Sequence, residues 1–282
     1  MQEIKQLVAT GKLQDAIAYC QVRLKKQPLD TDIRSAYIEL LCINGELDKA
    51  DKQINVLTNQ APETAIGGKN VQQLIRAQQS RVDFSQGGAT AEVFSDADAE
   101  LNAIVALQVA IKDNHPADIM SQCTALEAAR YLHSPTQPRD LDDSLAGYLE
   151  VLGTNGKFYL VKFSQITMLE WQPASSILEQ VWRRVHIDIE NGPSGDAFIP
   201  LTYLSSQSDA EKLGRETDWQ PINQAEDGGL IMYQGVGHKM LLIGESAVQL
   251  TDFYYDQENK ENHDNQDNQD INIGMSSQAE LA

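Results

Sequence analysis

The 282-residue sequence is poor in three features that mark particular protein classes: cysteines, basic residues and long apolar runs. Its three cysteines lack CxxC spacing and fall at apolar positions of predicted helices, which favours reduced core thiols over a disulfide or a zinc site. Only 22 Lys and Arg stand against 41 Asp and Glu, and a net charge of −19 disfavours binding to nucleic acid or an anionic membrane. Without a run of 18 apolar residues, we expect a soluble, cytoplasmic protein.

Sequence motifs of known catalytic or metal chemistry are also missing. The five histidines are scattered, with no HExxH motif and no Cys/His cluster at ligand spacing. Gly235-Val236-Gly237 lacks the third glycine and the following helix of a dinucleotide fingerprint. We therefore expect no catalytic residue, no cofactor and no bound metal.

The most informative feature that is present is an N-terminal segment that repeats itself 34 residues later. The matching positions are Ile4/Ile38, Leu7/Leu41, Gly11/Gly45, Leu13/Leu47, Ala16/Ala50, Val22/Val56 and Pro28/Pro62. A 34-residue period with small residues and proline at set offsets is typical of the tetratricopeptide (TPR) helix-turn-helix unit. Because such arrays usually present a binding surface, the pattern predicts a protein-interaction module.

Helical spacing continues to about residue 131 and then gives way to strands. Residues 67–84, 97–112 and 116–131 carry apolar stripes, and the last two form a degenerate third hairpin. After prolines at 135 and 138, strands are predicted at 148–152, 158–163, 166–171 and 198–204, with an Asn155-Gly156 hairpin turn and a short helix at 174–182. Residues 256–270 contain no apolar residue, which favours a solvated tail.

These patterns predict an α+β protein with more than one domain. TPR-like α-helical repeats are expected in residues 1–135, followed by a small, mostly antiparallel β-domain in 139–255, with a barrel-like arrangement left open. Residues 256–282 are expected to form a disordered, acidic and polar tail. Oligomeric state and the role of the tail stay open.

An acidic segment begins the predicted β-domain. Arg139-Asp140-Leu141-Asp142-Asp143 places three carboxylates within four residues, a density that could hold a divalent cation. Asp residues before a strand usually form Asx turns or caps, however, and Arg139 offers an internal partner. No EF-hand loop follows, so we expect turn formation here instead of metal binding.

Several strings of this sequence, in order and spacing, resemble the ImpE/SciE family, also called TagJ. They are the segments 139–143, 153–163, 181–183, 198–203 and, most specifically, the Leu-Gly-Arg-x-Thr-Asp-Trp string at 213–219. The resemblance covers most of residues 1–255 and implies a non-enzymatic accessory protein of the bacterial type VI secretion system. It also implies association with the small subunit of the contractile sheath and with the ClpV-type AAA+ ATPase that disassembles contracted sheath.

A partner-binding groove is predicted on the helical repeats. In tetratricopeptide arrays the first helix of each unit lines the concave face, which here places six side chains inward: Gln2, Gln6, Asp32, Ser35, Glu39 and Cys42. Such a groove suits an amphipathic helix whose basic flanks meet Asp32 and Glu39. The resemblance implies the N-terminal helix of the small sheath subunit as the ligand.

The string at 213–219 has two interpretations. In the structural one, Gly214 permits a tight turn, Arg215 pairs with Asp218 or a distant carboxylate, and Trp219 anchors the loop in the core. In the other, the loop contacts a partner. A second class of function also stays open, a small-ligand-binding or hydrolytic β-domain whose pocket would consist of Asp140, Asp142, Asp143, Arg215 and Asp218.

Overall fold

The computed structural model describes residues 1–94, 96, 98–133, 138–223 and 230–253. Helices dominate the first half: α1 (Gln2–Ala9), α2 (Leu13–Lys26), α3 (Thr31–Asn44), α4 (Leu47–Gln60), α5 (Ala65–Ser85), α6 (Ala99–Lys112), α7 (Pro116–His133), with a short α8 (Asp209–Lys212) among the strands. Among these described helices, none is both long and apolar enough to cross a bilayer. The tail predicted at 256–282 lies outside the described residues.

The described strands are β1 (Ala91–Glu92), β2 (Arg139–Asp140), β3 (Tyr148–Gly153), β4 (Phe158–Lys162), β5 (Ile166–Trp171), β6 (Trp182–Ile189), β7 (Ser194–Pro200), β8 (Thr217–Pro221), β9 (Tyr233–Gly237), β10 (Met240–Ile243) and β11 (Ser246–Gln249). All of them except β1, which lies between α5 and α6, come after α7 in the sequence. One sheet has the order β1-β4-β3-β7-β6-β5, a second β11-β10-β2 and a third β8-β9. Only β1 and β4 pair in parallel within these sheets, so the prediction of mostly antiparallel pairing is confirmed.

Two helical hairpins, α1–α2 and α3–α4, close with the same turn. Gly11 and Gly45 have φ angles of 74° and 82°, which a side chain would strain. Their N–H groups donate to the carbonyls of Val8 and Cys42, and the next residues donate to the carbonyls of Leu7 and Leu41. Each hydrogen bond of the first turn therefore recurs 34 residues later. Assignment of the helices to the tetratricopeptide class stays a prediction.

Positions related by the 34-residue period are also buried alike. Ala16 and Ala50 are fully buried, as the close crossing of two helices requires. The pairs Ile4/Ile38 and Leu13/Leu47 pack into the same core, whereas Val22 and Val56 are both exposed. The second helix of each hairpin ends before Pro28 and Pro62, respectively. The predicted helices at 67–84, 97–112 and 116–131 are confirmed as α5, α6 and α7, with shifted ends.

The sheets differ from the sequence prediction in two respects. The end strands β1 and β5 of the six-stranded sheet do not pair with each other, so the described strands form no closed barrel. The predicted helix at 174–182 is wrong, because only a 3₁₀ turn, Leu178–Gln180, forms there. The Asn155-Gly156 turn is confirmed, with Gly156 at a φ of 85° and the Asn155 side chain accepting a hydrogen bond from the Lys157 N–H.

The apolar core crosses the boundary between helices and sheet. One cluster runs from Ile4 through the helices to Tyr148, Phe158 and Trp182, and a second lies within the sheets. The Phe84 ring of α5 lies 5.9 Å from the Phe158 ring of β4. The helices and the sheet therefore stabilise each other. The division into domains at 135/139 stays a proposal.

Candidate functional site

A groove lies between α1 and α3, bordered by the chain that connects β5 to β6. Its volume is about 580 Å³. The lining comes from Lys5, Val8 and Ala9 of α1, from Asp32, Ser35, Ala36 and Glu39 of α3, from residues 174–177 and 180, and from Met1 and Arg215. On each helix these positions are spaced three or four apart, which places them on one face. We refer to this surface as the α1–α3 groove.

Half of the predicted groove residues lie in it. Asp32, Ser35 and Glu39 line the groove, whereas Gln2 and Gln6 are exposed outside its lining. Cys42 is buried in the apolar core, and burial raises the pKa of its thiol. The prediction that Cys42 faces a ligand is therefore wrong, because this position of α3 is covered by the core. The role of Gln2 and Gln6 in partner binding stays a prediction, since they are exposed on α1 but do not line this groove.

Glu39 does not present a free charge to a ligand. Its Oε2 accepts hydrogen bonds from the N–H groups of Ile177 (2.9 Å) and Leu178 (3.2 Å), at the start of the 3₁₀ turn. Burial raises the pKa of this carboxyl, and the two N–H donors oppose that rise. Glu39 was predicted to meet a basic flank of a ligand. In the structure it instead binds the backbone N–H groups of Ile177 and Leu178. Asp32 remains as an exposed carboxylate of the groove.

The string at 213–219 ends α8 and begins β8. Gly214, with a φ of 63°, donates its N–H to the Glu211 carbonyl, and the Arg215 N–H donates to the Ala210 carbonyl. This pair of bonds is a Schellman cap, which explains why glycine precedes Arg215. Buried Leu213 anchors the cap in the core. The backbone of Arg215 is thereby held at the edge of the α1–α3 groove.

Arg215 is exposed, contrary to the structural interpretation of this string. Its Nη2 lies 3.5 Å from the Val8 carbonyl oxygen, and within the described residues it forms no ion pair with Asp218 or any other carboxylate. Asp218 instead accepts a hydrogen bond from the Trp219 N–H. The expectation of a buried Arg215 bridge is therefore wrong.

Trp219 does not anchor the loop in the core either. Its side chain is 38% exposed on β8. With Tyr233, Arg139 and Asp143 it borders a shallow depression of about 380 Å³. This depression lies apart from the groove, since the two share no lining residue.

The helical hairpins and α8 are joined by polar contacts. The Gln14 N–H, in the first turn of α2, donates to Asp209 Oδ2 at 2.8 Å, so that Asp209 caps this helix from another part of the chain. Lys212 Nζ donates to Asn44 Oδ1 at 3.2 Å, at the end of α3. These contacts fix the position of α8, and with it that of Arg215, relative to the groove.

The acidic segment 139–143 forms turns, as one sequence interpretation predicted. Asp140 Oδ1 accepts from the Asp142 N–H, and Asp142 Oδ1 accepts from the N–H and hydroxyl of Ser144. Asp143 pairs with Arg139 and accepts from the Tyr233 N–H. Across the residues the structure describes, no group of three or more His, Cys, Asp or Glu is arranged to hold a metal ion.

The alternative ligand pocket does not assemble. Asp140 and Asp142 are buried, and their oxygens are occupied by hydrogen bonds from the protein. Arg215 and Asp218 are exposed, and only Arg215 reaches the groove while only Asp143 reaches the shallow depression. The five predicted residues are therefore distributed between the interior and separate surfaces.

An interior charge cluster was missed by the sequence prediction. It consists of Arg81 on α5, Glu150 on β3, Lys239, Asp140 and Tyr203, all at most 4% exposed. Arg81 donates to both Glu150 oxygens at 2.8 and 2.6 Å, and to the Thr202 carbonyl at 3.0 Å. Lys239 Nζ lies 2.7 Å from Glu150 and 3.5 Å from Asp140, whose Oδ1 accepts from the Tyr203 hydroxyl. The cluster ties α5 to the sheets.

Glu150 in the cluster and Asp142, whose N–H donates to Asp140 of the cluster, have pKa values shifted in opposite directions. Burial acts against ionisation of Glu150, but the Arg81 and Lys239 charges outweigh it and lower the pKa to about 2. Beside the cluster, burial raises the pKa of Asp142 to about 7, and the neighbouring Asp140 adds to the rise. The sequence did carry one signal for the cluster, since Glu150 interrupts the apolar run Tyr148–Gly153.

Comparisons with known proteins find three similarities. A family model described as ImpE protein matches residues 133–255. The type VI secretion system accessory component TagJ of Pseudomonas aeruginosa strain PAO1 is 24% identical over 229 residues, covering 76% of this chain and 80% of that protein. The crystal structure of protein VPA1032 from Vibrio parahaemolyticus matches with a TM-score of 0.82 at 33% identity, covering 89% of this chain and 96% of the other.

Proposed function

The chain belongs to the ImpE family, and from that premise we propose that it is a non-catalytic accessory protein of a type VI secretion system. The observation that carries the proposal is the similarity to TagJ across most of both chains, since TagJ is named an accessory component of that system. The similarity to VPA1032 extends over 89% of this chain, so it includes the helical part as well as the sheets.

We propose the α1–α3 groove as the site that binds a helix of the small sheath subunit. The groove is open, and its lining combines the short apolar side chains Val8, Ala9 and Ala36 with charged groups at its margin. A helix that lies in a groove anchors side chains spaced three and four residues apart, and small lining residues leave room for them. The exposed Asp32 would meet a basic residue of that helix.

The sheets would then stay available for a second partner. The family resemblance suggests the ClpV-type ATPase for this role, which would make the protein an adaptor between sheath and ATPase. The shallow depression beside Trp219 and Tyr233 lies outside the groove, and exposed aromatic side chains are frequent at protein contacts. Binding at the two places would therefore not compete for the same lining residues.

A titration tests the groove assignment. A fluorescent peptide of the first helix of the small sheath subunit encoded with this protein is titrated against wild type and the variant Ala9→Trp. Ala9 is exposed and lines the groove, so the indole should occupy the space of the ligand and weaken binding by about 10-fold or more.

Ala18→Trp serves as the matched control, because Ala18 is equally exposed on α2 but does not line the groove. It should bind like wild type. Equal affinity of Ala9→Trp and Ala18→Trp would move the site away from the groove. Absence of any binding to wild type would reject the sheath helix as the ligand.

A further inference from the structure

Two cationic side chains at the α1–α3 groove have no acidic partner among the residues that the structure describes. Lys5 and Arg215 both line the groove and are exposed. No carboxylate in the part of the chain that the structure describes lies within 4.0 Å of either charge, and Arg215 has only the 3.5 Å contact to the Val8 carbonyl. In a chain of net charge −19, carboxylates to pair with are abundant. Both cations are therefore available to a ligand.

The anionic groups of the same groove do not neutralise this side. Glu39 accepts hydrogen bonds from the N–H groups of Ile177 and Leu178, which occupy one of its oxygens. Asp32 is exposed on α3 and forms no ion pair with Lys5 or Arg215. The lining of the groove thus includes two cations, Lys5 and Arg215, and the exposed carboxylate of Asp32, which pairs with neither of them.

We propose that the α1–α3 groove recognises a carboxylate side chain, Asp or Glu, on the helix that docks in it, and that Arg215 and Lys5 bind this carboxylate. The inference rests on the proposed function, because it specifies the ligand of the same groove. A guanidinium presents paired N–H donors that match a carboxylate in a bidentate geometry. Val8 and Ala9 lie beside it, so an apolar side chain three or four positions from the acidic one would reach them.

The backbone of Arg215 is prepared for this role before binding. The Schellman cap at Gly214 holds the residue, and Asp209 and Lys212 attach α8 to the ends of α2 and α3. A charge on a fixed backbone loses less conformational freedom when it binds than one on a loose loop. Specificity for an acidic helix therefore depends on this arrangement of α8 against the helical hairpins.

The test uses the full chain and the sheath peptide described above, with charge-removing variants on both sides. Arg215→Gln and Lys5→Gln are compared with Arg76→Gln and Lys69→Gln, which remove the same charges from exposed positions outside the groove. In the peptide, each Asp and Glu is replaced in turn by Asn or Gln. Circular dichroism and thermal melting verify that the variants are folded.

We expect Arg215→Gln to weaken binding about 5- to 20-fold and Lys5→Gln to weaken it less, while the controls bind like wild type. Arg215→Lys should retain part of the affinity, because lysine keeps the positive charge but lacks the paired N–H donors of the guanidinium. One acidic peptide residue should couple to Arg215, so that its replacement makes Arg215→Gln harmless.

Binding that is indifferent to Arg215→Gln and Lys5→Gln would overturn the inference and leave the groove assignment standing. The same conclusion follows if no acidic residue of the peptide couples to Arg215. Failure of the peptide to bind wild type would overturn the proposed ligand and, with it, this inference.

Discussion

The interior charge cluster and the α1–α3 groove use the same kinds of side chain in opposite ways. In the cluster, Arg81 and Lys239 share Glu150, and Asp140 accepts from Tyr203, all out of contact with solvent. In the groove, Arg215 and Lys5 are exposed and lack a carboxylate within the described residues. The hydrogen-bonding groups of the cluster are occupied by other groups of the protein, whereas those of Arg215 and Lys5 are exposed to solvent.

This difference predicts different effects of removing a charge in the two regions. A buried charge that loses its partner leaves the remaining charge unpaired in a medium of low polarity, which costs several kcal/mol. An exposed charge can return to water when it has no partner, so its removal costs little. Stability measurements should therefore respond to the cluster, and binding measurements to the groove.

The largest expected effect comes from breaking the cluster. Arg81→Met removes both hydrogen bonds to Glu150 and leaves the Thr202 carbonyl without this donor, so we expect a loss of about 3–5 kcal/mol in the free energy of unfolding. Urea denaturation measures it. Arg76→Met, on the exposed face of the same helix, is the control and should change stability by less than about 0.5 kcal/mol. A loss below about 1 kcal/mol at Arg81 would contradict the structural role.

A smaller effect concerns pH. Burial holds the pKa of Asp142 at about 7 in the folded protein, against 3.8 as its ordinary value. Well below pH 4 the carboxyl is protonated in both states. As pH rises from there to 7, the unfolded chain ionises first, so the stability contributed by Asp142 is lost over this window. Asp142→Asn cannot titrate.

The stability of wild type relative to Asp142→Asn should therefore fall by more than about 1 kcal/mol between pH 4 and pH 8. Urea denaturation of both proteins at several pH values measures this difference. A constant difference across the window would show that Asp142 is ionised in the folded protein at pH 4.

The smallest expected effect concerns the groove. Arg215→Gln should change the free energy of unfolding by less than about 0.5 kcal/mol, because Arg215 is exposed and its side-chain hydrogen bond within the described residues is a long one, to the Val8 carbonyl. Thermal and urea denaturation check this result. A loss of more than about 2 kcal/mol in the free energy of unfolding would show that Arg215 is structural. It would contradict the difference drawn between the groove and the interior charge cluster.

Local patterns predicted the elements well where one residue type decides the backbone. Gly11, Gly45 and Gly156 all occupy turns with positive φ, and strand β5 has the predicted bounds. The failures lie where packing decides. Residues 174–182 have helix-compatible composition but form only a 3₁₀ turn, whose first N–H groups bind Glu39 from a distant helix. Strand β8 was not predicted, because residues 213–219 were interpreted as a loop.

The candidate site was predicted only in part for the same reason. Helical spacing correctly put Asp32, Ser35 and Glu39 on one face, because that relation depends on the turn of a single helix. Whether a side chain is exposed depends on which distant segments of the chain cover it. Arg215 and Trp219 are left uncovered, whereas Asp140 and Asp142 are buried. No local pattern encodes that coverage.

By itself, the sequence determined the order of helices and strands, the 34-residue equivalence of two turns and the family relationship. These follow from backbone sterics at glycine and proline, from apolar periodicity and from strings of adjacent residues. Only the tertiary structure decided which charges pair inside the protein and which stay exposed. Arg81 and Glu150 are 69 residues apart, and Arg215 lies beside Val8 from 207 residues away. Charge pairing depends on distances and solvent exclusion that only the packed chain creates.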